Sequence, residues 1–184
     1  MKILNIPGNI GALRNWLSQF SHVDLIDPHQ LNQLGRQDTL VLPGGNVGGL
    51  TADLSISIRS AIERECRLIA ICGSFQSLFI DTEEDNHHRC LRFFSGHTLK
   101  LNTPRIGCIK VDTTWFSGSP YFNHSYAVTI KDTETPNVMS GHFAIDETGF
   151  CWAVKTDQIL GVQFHPELSN KTFDAVFSKW LGAN

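Results

Sequence analysis

Three features of this 184-residue chain predict an α/β fold, a doubly wound and mostly parallel sheet with antiparallel strands added at its edge. In the first half, short β-prone runs alternate with segments of helical spacing, the pattern of successive βαβ units. One run, Arg67-Leu68-Ile69-Ala70-Ile71, is continuously apolar after its first residue, as a strand covered on both faces of a parallel sheet must be. Beyond residue 90 the helical spacing gives way to a series of strand-like segments.

Lys2 to Ile6 reads as the first strand, stopped by Pro7-Gly8-Asn9. Leu13, Trp16, Leu17 and Phe20 then recur at helical spacing within 12–20. Val23 to Ile26 and Thr39 to Leu42 are the next strands, the latter ended by Pro43-Gly44-Gly45. Asp53 to Glu65 follows as a helix with Leu54, Ile58, Ala61 and Ile62 on its apolar side. After the buried strand, Gly73 to Phe79 is expected to be helical. Segments 92–101, 106–112, 121–130, 150–155 and 158–164 read as strands, with turns at Thr103-Pro104 and Thr156-Asp157. Lys171 to Leu181 closes the chain as an amphipathic helix. No repeat or linker interrupts the pattern, so residues 1–184 are expected to form one domain.

Composition narrows the function classes. At 41% hydrophobic and 18% charged residues the chain reads as globular. Its net charge of -3 argues against a nucleic-acid surface, and no apolar stretch reaches membrane-spanning length. The first apolar run is too short for a secretion signal. Five cysteines without a CxxC pair fit a reducing, cytoplasmic setting with free thiols.

Cys72 stands where the buried strand meets a helix. A nucleophile elbow needs so tight a turn that the residues two before and two after must be small, and here they are Ala70 and Ser74. Such a turn lifts the sulfur to the carboxyl edge of the sheet, where open α/β sheets bind ligands. It also sets the thiol at a helix N-terminus, which favours the thiolate, and leaves the Gly73 N–H as half of an oxyanion hole. A buried structural cysteine at a strand end is the competing reading. In His165-Pro166-Glu167 the proline biases His165 toward extended backbone, where positions i and i+2 share a side. The Glu167 carboxylate then orients the imidazole and leaves its other nitrogen for a thiol.

These residues resemble the class I glutamine amidotransferases, whose cysteine lies in a G-x-C-x-G-x-Q elbow and whose histidine and glutamate share an H-P-E. Within them the chain is most similar to the glutaminase subunits of imidazole glycerol phosphate synthase, which supply ammonia in histidine biosynthesis. Most of the chain carries the resemblance: Pro7-Gly8-Asn9, Leu42-Pro43-Gly44-Gly45, the elbow, residues 95–101, residues 121–126, and Ile159 to Ser169. It implies a flavodoxin-like fold and a Cys72, His165, Glu167 triad that hydrolyses glutamine through a thioester. It also implies oxyanion donors at Gly45 and Gly73, a substrate-holding Gln76, and a glutamine pocket lined by His124, Ser125 and Tyr126. No metal or organic cofactor is implied. The implied partner is a synthase or cyclase acceptor subunit in a heterodimer.

The chain departs from the family at several positions. The elbow has Gly73 and Ser74 where a bulky residue and a glycine are usual, which predicts a less preorganised oxyanion donor. Ala12 replaces a polar residue of the first loop, Arg105-Ile106-Gly107-Cys108-Ile109 replaces H-x-G-W-N, and Leu168 replaces the lysine after H-P-E. In the synthase these positions lie toward the cyclase, so a divergent cyclase or another amide- or amidine-forming synthase is expected as partner. A stand-alone hydrolase or lyase on the same scaffold and a catalytically weak regulatory homologue are the alternatives. His87-His88-Arg89-Cys90 reads as a solvated acidic loop, lacking a second ligand pair for a metal. Trp115-Phe116 and Trp152 read as core or rim packing.

Overall fold

The computed structural model describes residues 1–45, 50–83, 90–113, 115–130, 138–171 and 173–182. Five strands form its parallel half: β1 (Lys2–Leu4), β2 (Asp24–Ile26), β3 (Thr39–Leu42), β4 (Arg67–Ile71) and β12 (Ile159–Val162). They pair in the order β2-β1-β3-β4-β12, the doubly wound arrangement of flavodoxin-like folds. Helix α1 (Ile10–Leu17) and α4 (Asp174–Leu181) cover one face, and α2 (Ala52–Glu63) the other.

Strand alternation explains the two layers. Ile3, Val41, Ile69, Ile71, Leu160 and Val162 point toward the cluster holding Leu13, Trp16, Leu17 and Phe177. Their neighbours Leu4, Leu40, Leu42, Leu68, Ala70 and Ile159 point the other way, against Leu54, Ile58, Ala61 and Ile62 of α2. Beyond their first residues, Thr39 and Arg67, β3 and β4 are therefore wholly apolar, because each side has a helix to meet. Thr51 caps α2 by accepting from the Leu54 N–H at 3.3 Å. Trp16 ties α1 to α4 by donating its indole N–H to Asp174 at 2.8 Å.

The antiparallel half continues from β12. Strand β11 (Phe150–Lys155) pairs antiparallel with β12 through the turn at Thr156-Asp157. Next come β9 (Tyr121–Thr129) and β6 (Phe94–Cys108), also antiparallel, then β5 (Phe79–Thr82), parallel to β6. Strand β10 (His142–Ile145) pairs with β11, and β7 (Val111–Asp112) with β8 (Ser117–Gly118) in a small separate sheet.

Several sequence expectations are corrected. The segment 158–164 is not an antiparallel addition: β12 joins β4 in parallel. The helix expected over Gly73–Phe79 is a single turn, α3 (Gly73–Gln76), and Phe79 instead opens β5. Phe79 is fully buried against Phe75 at 5.2 Å, and its pairing with Phe94 outweighs helical propensity. Thr103-Pro104 is not a turn. Strand β6 runs through it, with a register shift between Lys100 and Arg105 where proline has no N–H for the ladder. The closing helix starts at Asp174 rather than Lys171. The loop expected at His87-His88-Arg89-Cys90 lies outside the described residues except for Cys90. Among the described residues, no helix is long and apolar enough to cross a membrane, and no group of three or more His, Cys, Asp or Glu side chains is placed to hold a metal. Trp152 and Phe116 are core residues, while the half-buried Trp115 ring lies beneath Lys155 at 4.6 Å.

Candidate active site

The carboxyl ends of β3, β4 and β12 meet at one cleft. Cys72 leaves β4 with φ 50° and ψ -111°, a left-handed conformation that a non-glycine residue adopts only when its surroundings hold it there. Two backbone hydrogen bonds do so: the Cys72 N–H donates to Val162 O at 2.8 Å, and Cys72 O accepts from the Gln76 N–H at 3.1 Å. The sulfur lies 3.8 Å from Asn123 O and 3.9 Å from Gln163 Nε2, and the His165 imidazole pairs with it. Because α3 is one turn long, what it offers the cleft is its unbonded N–H groups rather than the dipole of a long helix.

His165 follows β12 and is anchored by donating its N–H to Tyr121 O at 2.8 Å. Its Nδ1 and Glu167 Oε1 lie 2.9 Å apart. This contact differs from the extended geometry that the sequence suggested. Pro166–Leu168 form a 3-10 turn that folds the carboxylate back under the ring, where Glu167 is almost fully buried. Ser169 closes the turn, its hydroxyl donating to His165 O at 2.6 Å. Burial by itself lowers the His165 pKa, but pairing with Cys72 and Glu167 outweighs it and pushes the pKa up to about 10. The imidazolium is thus the stable form of the folded resting site at neutral pH.

Gly44 packs between the two catalytic candidates. A Cβ there would fall 2.7 Å from His165 Cε1 and 3.2 Å from Cys72 Cβ. Gly8 and Gly45 are equally confined: a Cβ on Gly8 would meet Gly44 O at 2.3 Å, and one on Gly45 would meet Pro7 O at 2.7 Å. The loops after β1 and β3 therefore touch backbone to backbone, which only glycines permit.

Strand β9 supplies the opposite wall. His124 is buried and donates Nδ1–H to Tyr126 O at 2.6 Å. Burial, with Arg105 and His165 nearby, brings its pKa down to about 4 although the carbonyl bond resists this, so the ring is neutral at pH 7. Gln76 is 2% exposed and donates from Nε2 to Tyr126 O at 2.8 Å and to Gln163 Oε1 at 3.0 Å.

The resulting cleft has a volume of about 430 Å³, within the usual range of small-molecule sites. Eight of the nine residues expected from the sequence line it: Gly45, Cys72, Gly73, Gln76, His124, Ser125, Tyr126 and His165. Glu167 lies behind His165, against the far side of its ring. The sequence reading missed Gln163, Asn123, Gly8 and Gly44. Gln163 was discoverable, since it precedes His165 by two positions on the same side of an extended segment.

A family model described as glutamine amidotransferase class-I matches residues 14–181. The HisH subunit of imidazole glycerol phosphate synthase from Pyrococcus furiosus is 32% identical, covering 92% of this chain and 93% of that one. The Thermotoga maritima subunit is 30% identical over 90% and 87%, and that of Dehalococcoides mccartyi strain CBDB1 is 28% identical over 95% and 94%. Solved structures share the fold at low identity. A glutamine amidotransferase crystal structure has a TM-score of 0.73 at 15% identity, covering 98% of each chain. The glutaminase domain of Trypanosoma brucei CTPS scores 0.63 at 15% identity, covering 100% of this chain and 94% of that one. The family match spans most of the chain and its relatives align nearly end to end, so this protein belongs to the class I glutamine amidotransferases.

Proposed function

We propose that the chain, as one domain over residues 1–184, is the glutaminase subunit of an imidazole glycerol phosphate synthase or of a close variant, releasing ammonia for an acceptor subunit in a heterodimer. The observation that carries the reading is the convergence of Cys72, His165 and Glu167, with His165 Nδ1 held by Glu167 at 2.9 Å beside a cysteine in strained elbow geometry.

In this reading the Cys72 thiolate attacks the side-chain amide carbon of glutamine. The carbonyl oxygen becomes an oxyanion, bound by the N–H groups of Gly45 and Gly73. His165, protonated in the resting site, gives its proton to the amide nitrogen as the C–N bond breaks. Ammonia leaves and a γ-glutamyl thioester remains. His165, now neutral, takes a proton from water, whose oxygen attacks the thioester carbon. Collapse of that second intermediate breaks the C–S bond and releases glutamate. Gln76, His124, Ser125 and Tyr126 bind the substrate, with the neutral His124 forming a wall that does not compete for the proton. The residues suffice for this hydrolysis without a metal or organic cofactor.

The partner-facing departures favour a divergent acceptor as the second reading. Leu168 is 46% exposed, Ile106 is 65% exposed, and Ala12 is half-buried. An apolar rim suits a less polar docking surface than the family's charged one. The test is ammonia release from glutamine, with and without a standard cyclase and its ligand. The expected result is turnover that Cys72→Ala abolishes. Stimulation by the standard cyclase rejects the divergent-partner reading, while absence of turnover and of Cys72 labelling by a glutamine-like electrophile rejects the glutaminase.

A further inference from the structure

Ser74 occupies the elbow position where small size is the only evident requirement, yet its hydroxyl is bonded. It is buried, and its Oγ donates to Pro43 O at 2.7 Å. Pro43 is the last residue before Gly44 and Gly45, and the bond therefore crosses from the cysteine-bearing turn to the loop after β3. We infer that Ser74 is a positioning residue for glutamine hydrolysis: its hydroxyl fastens the Pro43–Gly44 peptide to the elbow and so orders the backbone donors facing Cys72. The inference rests on the glutaminase reading above.

The surrounding contacts show why one bond at this place has leverage. The Ser74 carbonyl accepts from the Ser77 hydroxyl at 2.6 Å, so the residue is held from its other side as well. On the loop side, the Gly44 carbonyl abuts Gly8, and Gly44 itself rests against Cys72 and His165. With Pro43 O turned to Ser74, that carbonyl lone pair is kept occupied, and the peptide plane leading into Gly44 has one orientation. A donor works on a developing oxyanion only if it is in place before the charge forms. Glycines at 44 and 45 are required sterically but hold no conformation of their own. The elbow's Gly73 adds the same freedom on the other side of the hole. The Ser74 hydroxyl offsets the freedom of both by tying the two halves together.

The experiment compares Ser74→Ala and Ser74→Cys with the full-length wild-type chain. Three quantities are measured: glutamine kcat and KM, the rate of Cys72 alkylation by iodoacetamide, and hydrogen exchange at the Gly44 and Gly45 amides. Ser74→Ala is expected to lower kcat about tenfold or more, less than the loss from deleting an oxyanion donor outright, with KM changed by less than about threefold. Exchange at Gly44 and Gly45 should rise, alkylation should stay at the wild-type rate, and the weak donor of Ser74→Cys should recover part of kcat. Unchanged exchange in Ser74→Ala overturns the tether. Unchanged kcat overturns its role in the reaction, and a parallel fall in kcat and alkylation reduces Ser74 to a structural support of the elbow. A wild-type chain that releases no ammonia with or without the cyclase, and whose Cys72 is not labelled by a glutamine-like electrophile, defeats the glutaminase reading instead, and the exchange result still decides the tether.

Discussion

The two walls of the cleft come from different halves of the sheet and hold their histidines in opposite charge states. His165 stands on the parallel side, after β12, with a buried carboxylate on Nδ1 and the cysteine beside it. His124 stands on the antiparallel side, in β9, with only a carbonyl on Nδ1 and with Arg105 nearby. Both rings are about equally buried, at 8% and 7% exposure. Desolvation disfavours the imidazolium in both, so the partner decides: a carboxylate and the Cys72 sulfur reverse the effect, and a neutral carbonyl does not. One cleft thereby contains a histidine that holds its proton and, across from it, one that stays neutral.

The largest test of this contrast is Glu167→Gln. It retains size and a hydrogen-bonding group but removes the charge that orients and sustains the imidazolium. Glutamine turnover should fall about 10²-fold or more. Substrate affinity, which the proposed function assigns to the other wall, should change little. If kcat survives the substitution, the carboxylate is not what distinguishes the two histidines.

Gly44→Ala should act next most strongly. The added methyl must push on the His165 ring, which Glu167 holds, and on Cys72 Cβ, which the strained elbow holds. A displacement of a few tenths of an ångström in either misaligns the pair, and a tenfold or greater loss of kcat is expected at a stability cost of about 1–3 kcal/mol. Urea denaturation alongside turnover separates the two. Wild-type turnover in this variant means that the loop has slack the structure does not show.

The smallest effect is on stability, and it sharpens the comparison by sign. His165 binds its proton more tightly folded than unfolded, so its contribution is full below about pH 6.5 and is lost as pH rises through about 10. His124 binds its proton less tightly folded, so its contribution is present above about pH 6.5 and is lost as pH falls through about 4. Relative to wild type, His165→Gln should therefore be most harmful at acidic to neutral pH, and less so toward pH 10. His124→Gln should gain on wild type as pH drops from about 6.5 toward 4, approaching about 3 kcal/mol below that. Unfolding free energies measured across pH for both variants check the pair, and slopes of the same sign contradict the assignment.

Much of this site was legible before any coordinates. Cys72 follows a run, Leu68 to Ile71, that reads as a doubly covered strand, and Ala70 and Ser74 leave room for a tight turn, so the elbow is written locally. The His165-Pro166-Glu167 spacing is likewise local, although the contact is made by a 3-10 turn and not an extended segment. The glycines after β1 and β3 announce loops, but the reason for them lies in each other: Gly8 faces Gly44 O, distant in sequence and near in space only after the sheet forms. The same is true of β5, where Phe79 leaves the helical pattern because Phe94 is there to pair with it.

The amino-acid sequence by itself determined the alternation of strands and helices, the place of the candidate nucleophile and the residue types of the proposed triad, because these depend on neighbours a few positions apart. Tertiary structure alone decided the joining of β12 in parallel beside β4, which brings His165 to Cys72 across ninety residues of chain. It also decided which histidine carries charge, and what the Ser74 hydroxyl grips. Those properties depend on burial and on partners supplied by other strands, quantities that a linear pattern does not contain.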